Sequence, residues 1–389
     1  MLIFLGSGDR AGSETVLRAM LLLILNLRGP KPWRPLPTNL LAADIRAGSI
    51  ALQSLTNLGF PQTVLSLTLA ITAAWLISTV VSAKKIHGLG FVAICGGLLV
   101  TLVGFSLYAT GSVMPHLSLG SAVQSQANLN QMLIVNRLSD VKSLTPMASP
   151  FLQLSMKNFA GLLLAVALGI VAAPHLLGRH ISQSAVAPGA AVKRSTIALI
   201  AIALVIASLP PLAVYSRVGF EQTMSKGIEI AAIPQSFAEA SALGWVKVCD
   251  KNSDVTADLA GACQKASGQR GFLRLQDLAF TTDGFVVAAP KISGLDPWLE
   301  YPLLLGAVLA TILAGNALVS AITVADGEVR HGRSEQAPKF DFRAATAGGL
   351  LIVGGALVAI FSIIGTALLA AEGFAILAAG LFPALVLGL

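Results

Sequence analysis

The sequence is poor in charged residues, which make up only 12% of its 389 positions, whereas hydrophobic residues make up 55%. Soluble domains carry about 25% charged residues, and the mean hydropathy of +0.78 is far above what they show. The composition argues against a soluble globular protein. It predicts an all-α polytopic membrane protein that meets the lipid bilayer over much of its surface.

Cysteine is also scarce, with 3 residues in the whole chain. That number is too small for a disulfide-built scaffold, and no cysteine is spaced with another Cys or His as a zinc site requires. Cys95 lies in an apolar run, whereas Cys249 and Cys263 both lie in one long polar segment. Their spacing permits a disulfide without requiring one, so the bridged and the reduced states both remain open.

The net charge of +7 does not come from a basic cluster with interleaved aromatic residues, and nucleic acid is therefore not an expected partner. The sequence contains no Gly-x-Ser-x-Gly elbow, no phosphate-binding loop and no pair of carboxylates within an apolar run. His175 and His180 are not placed on one helical face and have no acid beside them. We therefore expect neither an enzyme nor a bound metal or cofactor.

Seven apolar segments are long enough to cross a bilayer as helices, which takes about 20 residues each. They divide the chain into membrane helices over 61–215, a polar segment over 216–300 and further membrane helices over 301–389. The segments are 61–82, 90–109, 158–177, 196–215, 302–324, 344–370 and 373–389.

The first 60 residues fit this pattern poorly. The apolar run 15–27 is too short to span a membrane, the Pro-rich stretch 29–37 cannot be helical throughout, and 39–58 contains Asp44 and Arg46. These two charges are two positions apart on a helix, so they do not neutralise each other, and no partner for either can be named from sequence. The segment 1–60 is therefore either partly interfacial or an early helix.

Lys and Arg residues define the expected orientation. They are concentrated in the connections 82–88, 178–194 and 326–343, which alternate along the chain and fall on the same side. The positive-inside rule makes that side cytoplasmic. The segment 216–300 is then extracytoplasmic, where a disulfide is chemically permitted, and the C-terminus is cytoplasmic. The mixed charges and short apolar stretches of the segment 216–300 predict a small folded cap in a bacterial inner-membrane protein.

Several stretches resemble the sodium:solute symporter family, in its cation/acetate branch. "FAGLLLAVALGIVAAPHLLGRH" (159–180) is similar to the family helix that ends in Pro-His with an Arg nearby, here Pro174, His175 and Arg179. The stretches 114–124, 271–280 and 286–295 resemble the outer loops of that branch, and 45–58 resembles the end of an early helix. The likeness extends over about 45–326.

The resemblance implies an inverted-repeat helix bundle in which broken helices hold substrate and sodium near the midplane. Three departures from the family pattern matter. We expect the chain to lack the family's first broken helix and its last helices, and Ala314 and Gly315 are expected at the positions of two sodium-binding hydroxyls. Because Ala and Gly offer no side-chain oxygen, we do not expect a complete sodium site. A shifted register would bring Ser320 or Thr323 to the hydroxyl positions instead.

Asn316 follows Gly315 and has two interpretations. It is either a remnant ligand of the ion or substrate site, together with Ala314, Gly315 and Ser320, or a residue that joins two helices by hydrogen bonds. Gly161, Ala165 and Gly169 recur every four residues on one helical face, which allows a second helix to approach closely. That second helix belongs either to the same chain or to another subunit.

The sequence therefore predicts a reduced, symporter-derived bundle that is no longer coupled to sodium. Its expected role is that of an accessory or scaffold subunit of a larger inner-membrane complex, with the lipid bilayer and other membrane subunits as partners. The alternative is a shortened sodium- or proton-coupled symporter for a small carboxylate such as acetate.

Overall fold

The computed structural model describes residues 38–80, 115–140, 156–171, 214–267, 271–281, 283–294, 297–331, 342–362 and 365–380, with isolated positions between 96 and 111. This part of the chain is mostly helical. The helices are α1 (Thr38–Thr56), α2 (Phe60–Val80), α3 (Pro115–Val135), α4 (Met156–Val171), α5 (214–225), α6 (Gln235–Ala242), α7 (Thr256–Ser267), α8 (Phe285–Ile292), α9 (Pro297–His331), α10 (Phe342–Phe361) and α11 (Thr366–Gly380).

Two of the described helices are long and apolar enough to cross a membrane, over Phe60–Ser78 in α2 and Glu300–Ala321 in α9. Shorter apolar stretches occur in α4, α10 and α11. Most of the predicted segment 90–109 and nearly all of 196–215 lie outside the described residues. Exposed leucines on α2 and α9, such as Leu65, Leu69 and Leu305, give these helices an apolar outer surface.

Helix α1 lies at the centre of the helix bundle, where it contacts α2, α9, α10 and α11. Leu41 and Ile45 are fully buried there. Gly48 permits the close approach of α9, because a Cβ at this position would lie 2.6 Å from the hydroxyl oxygen of Thr311. Residues 38–56 therefore form a largely buried helix among the described helices.

The end of the bundle differs from the predicted segments 344–370 and 373–389. Helix α10 ends at Phe361, inside the first predicted segment, and α11 begins at Thr366. Glu372, expected between two helices, therefore lies within α11. Hydropathy does not change at residues 362–365, so it does not predict a break between two helices there. The end of α10 and the start of α11 are bonded by residues from distant parts of the chain.

Residues 216–294, which we call the cap, pack around an apolar core that also includes side chains of α1, α3 and α9. Strands β1 (Val246–Val248) and β2 (Leu278–Phe280) pair antiparallel in it, with Val246 opposite Phe280. Helices α6 and α7 pack against β1, and α8 packs against α6. Its core contains the buried side chains of Phe220, Met224, Phe237, Trp245, Leu259, Cys263 and Leu273.

Candidate functional site

Asn316 lies between α9 and α2, where only 4% of its surface is exposed. Its side-chain oxygen accepts hydrogen bonds from the hydroxyls of Ser78 and Ser320, each at 3.2 Å. Ser78 belongs to α2 and Ser320 lies one turn further along α9. The amide oxygen therefore joins two helices through a bifurcated contact, which is the geometry expected of a packing residue in a membrane helix.

The other residues of the predicted remnant site do not form a ligand shell with Asn316. Ala314 is exposed, whereas the next residue, Gly315, is buried. A Cβ at Gly315 would lie 3.0 Å from the Cδ1 atom of Ile71, so the missing side chain makes room for α2. Of the four predicted residues, the structure brings together only Asn316 and Ser320.

An ion pair between Arg46 and Asp283 connects α1 to the cap. The Arg46 Nε atom donates to the Asp283 carboxylate at 3.0 Å, and the two side chains are only 19% and 14% exposed. Arg46 Nη1 also donates to the carbonyl oxygen of Ser362, after the end of α10, at 2.7 Å. The partner that the sequence could not name for Arg46 is therefore 237 residues away.

Asp283 also fixes the start of α11. Both of its carboxylate oxygens accept from the backbone N–H of Thr366, at 2.9 and 3.0 Å. A carboxylate at a helix N-terminus and a guanidinium at a helix C-terminus each complement the helix dipole. Arg46 and Asp283 together hold α10, α11, α1 and the cap in one arrangement, which we call the Arg46–Asp283 clamp.

A second contact holds the cap on α1. Gln53 is 3% exposed and accepts from the indole N–H of Trp245 at 3.2 Å. Its amide nitrogen donates to the carbonyl oxygen of Leu243 at 3.2 Å. Both ends of this buried amide are thus bonded to the cap, which leaves no unsatisfied polar atom at the contact.

Cys249 and Cys263 are joined by a disulfide, with their Cα atoms 5.1 Å apart. The bond connects the end of β1 to α7 and lies against the cap core, in which Cys263 is fully buried. Sequence spacing had left the bridged and the reduced states open.

The predicted packing face of α4 is used at one end. Gly169 lies against the backbone of Phe374 in α11, so that any Cβ at this position would overlap the Phe374 carbonyl group. Gly161, by contrast, is exposed with no atom near its missing side chain, and Ala165 is half-buried. The same chain therefore supplies the partner at Gly169, while the Gly161 end of the face is open.

A buried polar pair lies beside α3 in the first turns of the cap. Arg217 donates to Glu221 at 2.6 Å, and both side chains are at most 5% exposed. In the amide orientation that satisfies both groups, the Gln126 carbonyl accepts from Arg217 Nε at 2.7 Å. Burial raises the pKa of Glu221, and the charge of Arg217 and its hydrogen bond oppose that increase.

An open cleft of about 520 Å³ lies between α10 and α11, and α1 contributes to its wall. Asn39 and Glu372 line it together with apolar side chains such as Leu357 and Phe361. Both polar side chains are half-buried. Neither has a hydrogen-bond or ion-pair partner within the part of the chain that the structure describes. The predicted segments 344–370 and 373–389 leave Glu372 between two helices, so hydropathy alone does not single it out.

Among the described residues, no group of three or more His, Cys, Asp or Glu side chains is placed to hold a metal ion. Fold and polar contacts together define a mostly helical protein with two helices able to cross a membrane, clamped to a disulfide-bonded cap. No protein-family model, curated protein or solved structure matches the chain.

Proposed function

We propose that the chain is a multi-pass protein of a bacterial inner membrane that serves as an accessory or scaffold subunit of a larger membrane complex. In this proposal it derives from a sodium:solute symporter and no longer couples to sodium. The cap is extracytoplasmic and the C-terminus cytoplasmic, as the distribution of Lys and Arg favours. The family likeness supports the origin, and the polar contacts of the helices support the role.

The observation that carries the proposal is the bonding of Asn316. In the favoured register this amide stands beside the two positions at which the family places its sodium-binding hydroxyls. Here the amide oxygen accepts from Ser78 and Ser320, so it contributes to helix packing. Gly315 accommodates Ile71 of α2. A hard cation needs about six oxygen ligands, whereas these positions supply helix contacts.

The contacts of the cap support a structural role. The Arg46–Asp283 clamp and the Gln53–Trp245 contact tie the cap to α1 at two separate levels. A cap fixed in this way presents a constant surface to a partner subunit. The exposed apolar residues of α10 and the open Gly161 end of α4 provide further surface for lipid or for neighbouring helices.

One observation favours the alternative, a shortened sodium- or proton-coupled symporter for a small carboxylate such as acetate. Glu372 is an ionisable residue on a membrane-embedded helix in this proposal, and such residues often mark ion pathways. Glu372 also lines an open cleft. A proton-coupled carrier would use a carboxylate in such a position.

Uptake by the purified chain in proteoliposomes distinguishes the two functions. We expect radiolabelled acetate to reach the same internal level as in protein-free liposomes when a sodium or a proton gradient is imposed. Gradient-dependent accumulation that disappears in Glu372→Gln, but not in the cap variant Asp258→Asn, would establish the carrier function and refute the scaffold proposal.

A further inference from the structure

The cleft between α10 and α11 holds two polar side chains that the contacts described above do not use. Asn39 comes from the start of α1 and Glu372 from the second turn of α11. Ser54, near the other end of α1, donates to Glu300 at the start of the apolar stretch of α9. Asn39 lies fifteen residues before Ser54, or about 22 Å along the helix.

This depth places the cleft within the bilayer. The apolar stretch Glu300–Ala321 has 22 residues, which corresponds to about 33 Å of helix. The cleft then lies about two thirds of the way along it, too deep for a lipid headgroup that stays at the interface. A carboxylate at such a depth is costly and is normally paired or turned towards another polar group.

The apolar segments of this chain do not supply the missing cation. The segments 61–82, 90–109, 158–177, 196–215, 302–324, 344–370 and 373–389 contain no Lys or Arg. Arg46, in α1, is bonded to Asp283 and Ser362. Arg18, in the short run 15–27, is the one other basic residue within an apolar stretch.

The surface next to the cleft has the shape of a helix contact. Leu350, Val353, Leu357 and Phe361 follow one another along one face of α10, and each is more than half exposed. Leu357 and Phe361 belong both to this face and to the cleft. Gly349 has open space beside it, which allows a neighbouring backbone to come near.

We propose that the α10–α11 cleft is the docking site for a transmembrane helix of another subunit, which inserts one lysine or arginine between Glu372 and Asn39. The inference deepens the scaffold function and depends on it. The apolar face of α10 packs along the partner helix. The Glu372 carboxylate and the Asn39 amide bind a basic side chain of that helix, so they favour a partner that carries one at this depth of the membrane.

Model transmembrane peptides test the inference on the purified full-length chain in liposomes. One peptide is a 22-residue Leu-Ala helix with a central lysine, and its control has leucine at that position. Because a lysine side chain is long and flexible, the central position reaches the cleft in either orientation. Association is measured by energy transfer between labelled peptide and labelled protein.

We expect the lysine peptide to associate about tenfold more tightly than the leucine peptide, as one membrane hydrogen-bonded contact of 1–2 kcal/mol allows. Glu372→Gln should remove the difference and Asn39→Ala should reduce it, whereas Asp258→Asn, a charge change on the cap, should leave it intact. Circular dichroism and gel filtration check that each variant is folded.

Four outcomes would overturn the inference. Two are equal association of both peptides and a lysine preference that survives Glu372→Gln. The third is a lysine preference that appears only in Arg18→Gln, which would assign the cleft to the chain's own residues 15–27. The fourth is equal association accompanied by phosphatidylethanolamine that copurifies with the chain and is lost in Glu372→Gln, which would assign the cleft to a lipid. The scaffold function is tested separately, by whether other subunits accompany the chain from its native membrane.

Discussion

The Arg46–Asp283 clamp makes the sharpest prediction about stability. Arg46→Met removes the guanidinium, and Asp283→Asn removes the negative charge while it keeps an oxygen that can accept from Thr366. Asp283→Ala removes both functions. The three variants therefore separate the ion pair from the carboxylate's contact with the start of α11.

The structure sets the expected magnitude. Breaking a fully buried ion pair costs about 3–5 kcal/mol. The side chains of Arg46 and Asp283 are not fully buried, since they are 19% and 14% exposed. We therefore expect Arg46→Met and Asp283→Asn each to cost about 2 kcal/mol, with a coupling of about 1–3 kcal/mol in the double-mutant cycle. Asp283→Ala should cost about 1 kcal/mol more than Asp283→Asn, because a helix N-terminus loses its acceptor.

Trp245 provides the assay. Its indole is 3% exposed and bonded to Gln53, so its fluorescence reports release of the cap from α1. The free energy is measured by denaturant titration in detergent micelles, with Trp33, Trp75 and Trp298 replaced by Phe so that Trp245 is the only emitter.

The exposed pair Lys251–Asp258 is the matched control, since its side chains are 45% and 57% exposed. We expect its coupling to be about 0.5 kcal/mol or less. A coupling between Arg46 and Asp283 no larger than that of this control would refute the role assigned to the clamp.

Three further predictions follow from the described contacts. Gly169→Ala should destabilise the isolated chain by about 1–3 kcal/mol through overpacking, whereas Gly161→Ala, which has open space beside it, should not lower its melting temperature. The double change Cys249→Ser and Cys263→Ser should lower the unfolding free energy of the cap by about 3 kcal/mol, because the disulfide closes a short loop. An unchanged denaturation midpoint would contradict this prediction. Burial raises the pKa of Glu221 above 4.5, so as pH rises this carboxyl ionises in the unfolded chain before it ionises in the folded one. The stability of the wild type should therefore fall above pH 4.5 relative to that of Glu221→Gln. Parallel pH profiles of the two stabilities would refute this prediction.

Hydrophobic patterning predicted the helices that depend on local sequence. The segments 61–82 and 302–324 correspond to the apolar stretches of α2 and α9, with ends displaced by at most a few residues. Each helix has a long uninterrupted apolar run, and the length of that run is a local property. The same reasoning failed at residues 362–365, between α10 and α11, where Arg46 bonds Ser362 just after α10 and Asp283 bonds the start of α11.

The polar residues were less predictable. Asn316 was selected from sequence, but its partner Ser78 lies on another helix, so only the structure assigns the contact. Sequence could identify Arg46 as a charge that needed a partner, yet Asp283 is too distant in the chain to be chosen by spacing. Glu372 lies between the predicted segments 344–370 and 373–389, where a single acid is also typical of a loop.

The central claim is that the chain is a structural subunit of a membrane complex. Native mass spectrometry of the tagged protein, extracted in mild detergent from its own membranes, tests it most directly. We predict a complex in which the chain occurs in fixed stoichiometry with other membrane subunits. A lone monomer or homodimer would contradict the claim, most decisively if the same preparation accumulated acetate under a sodium or proton gradient.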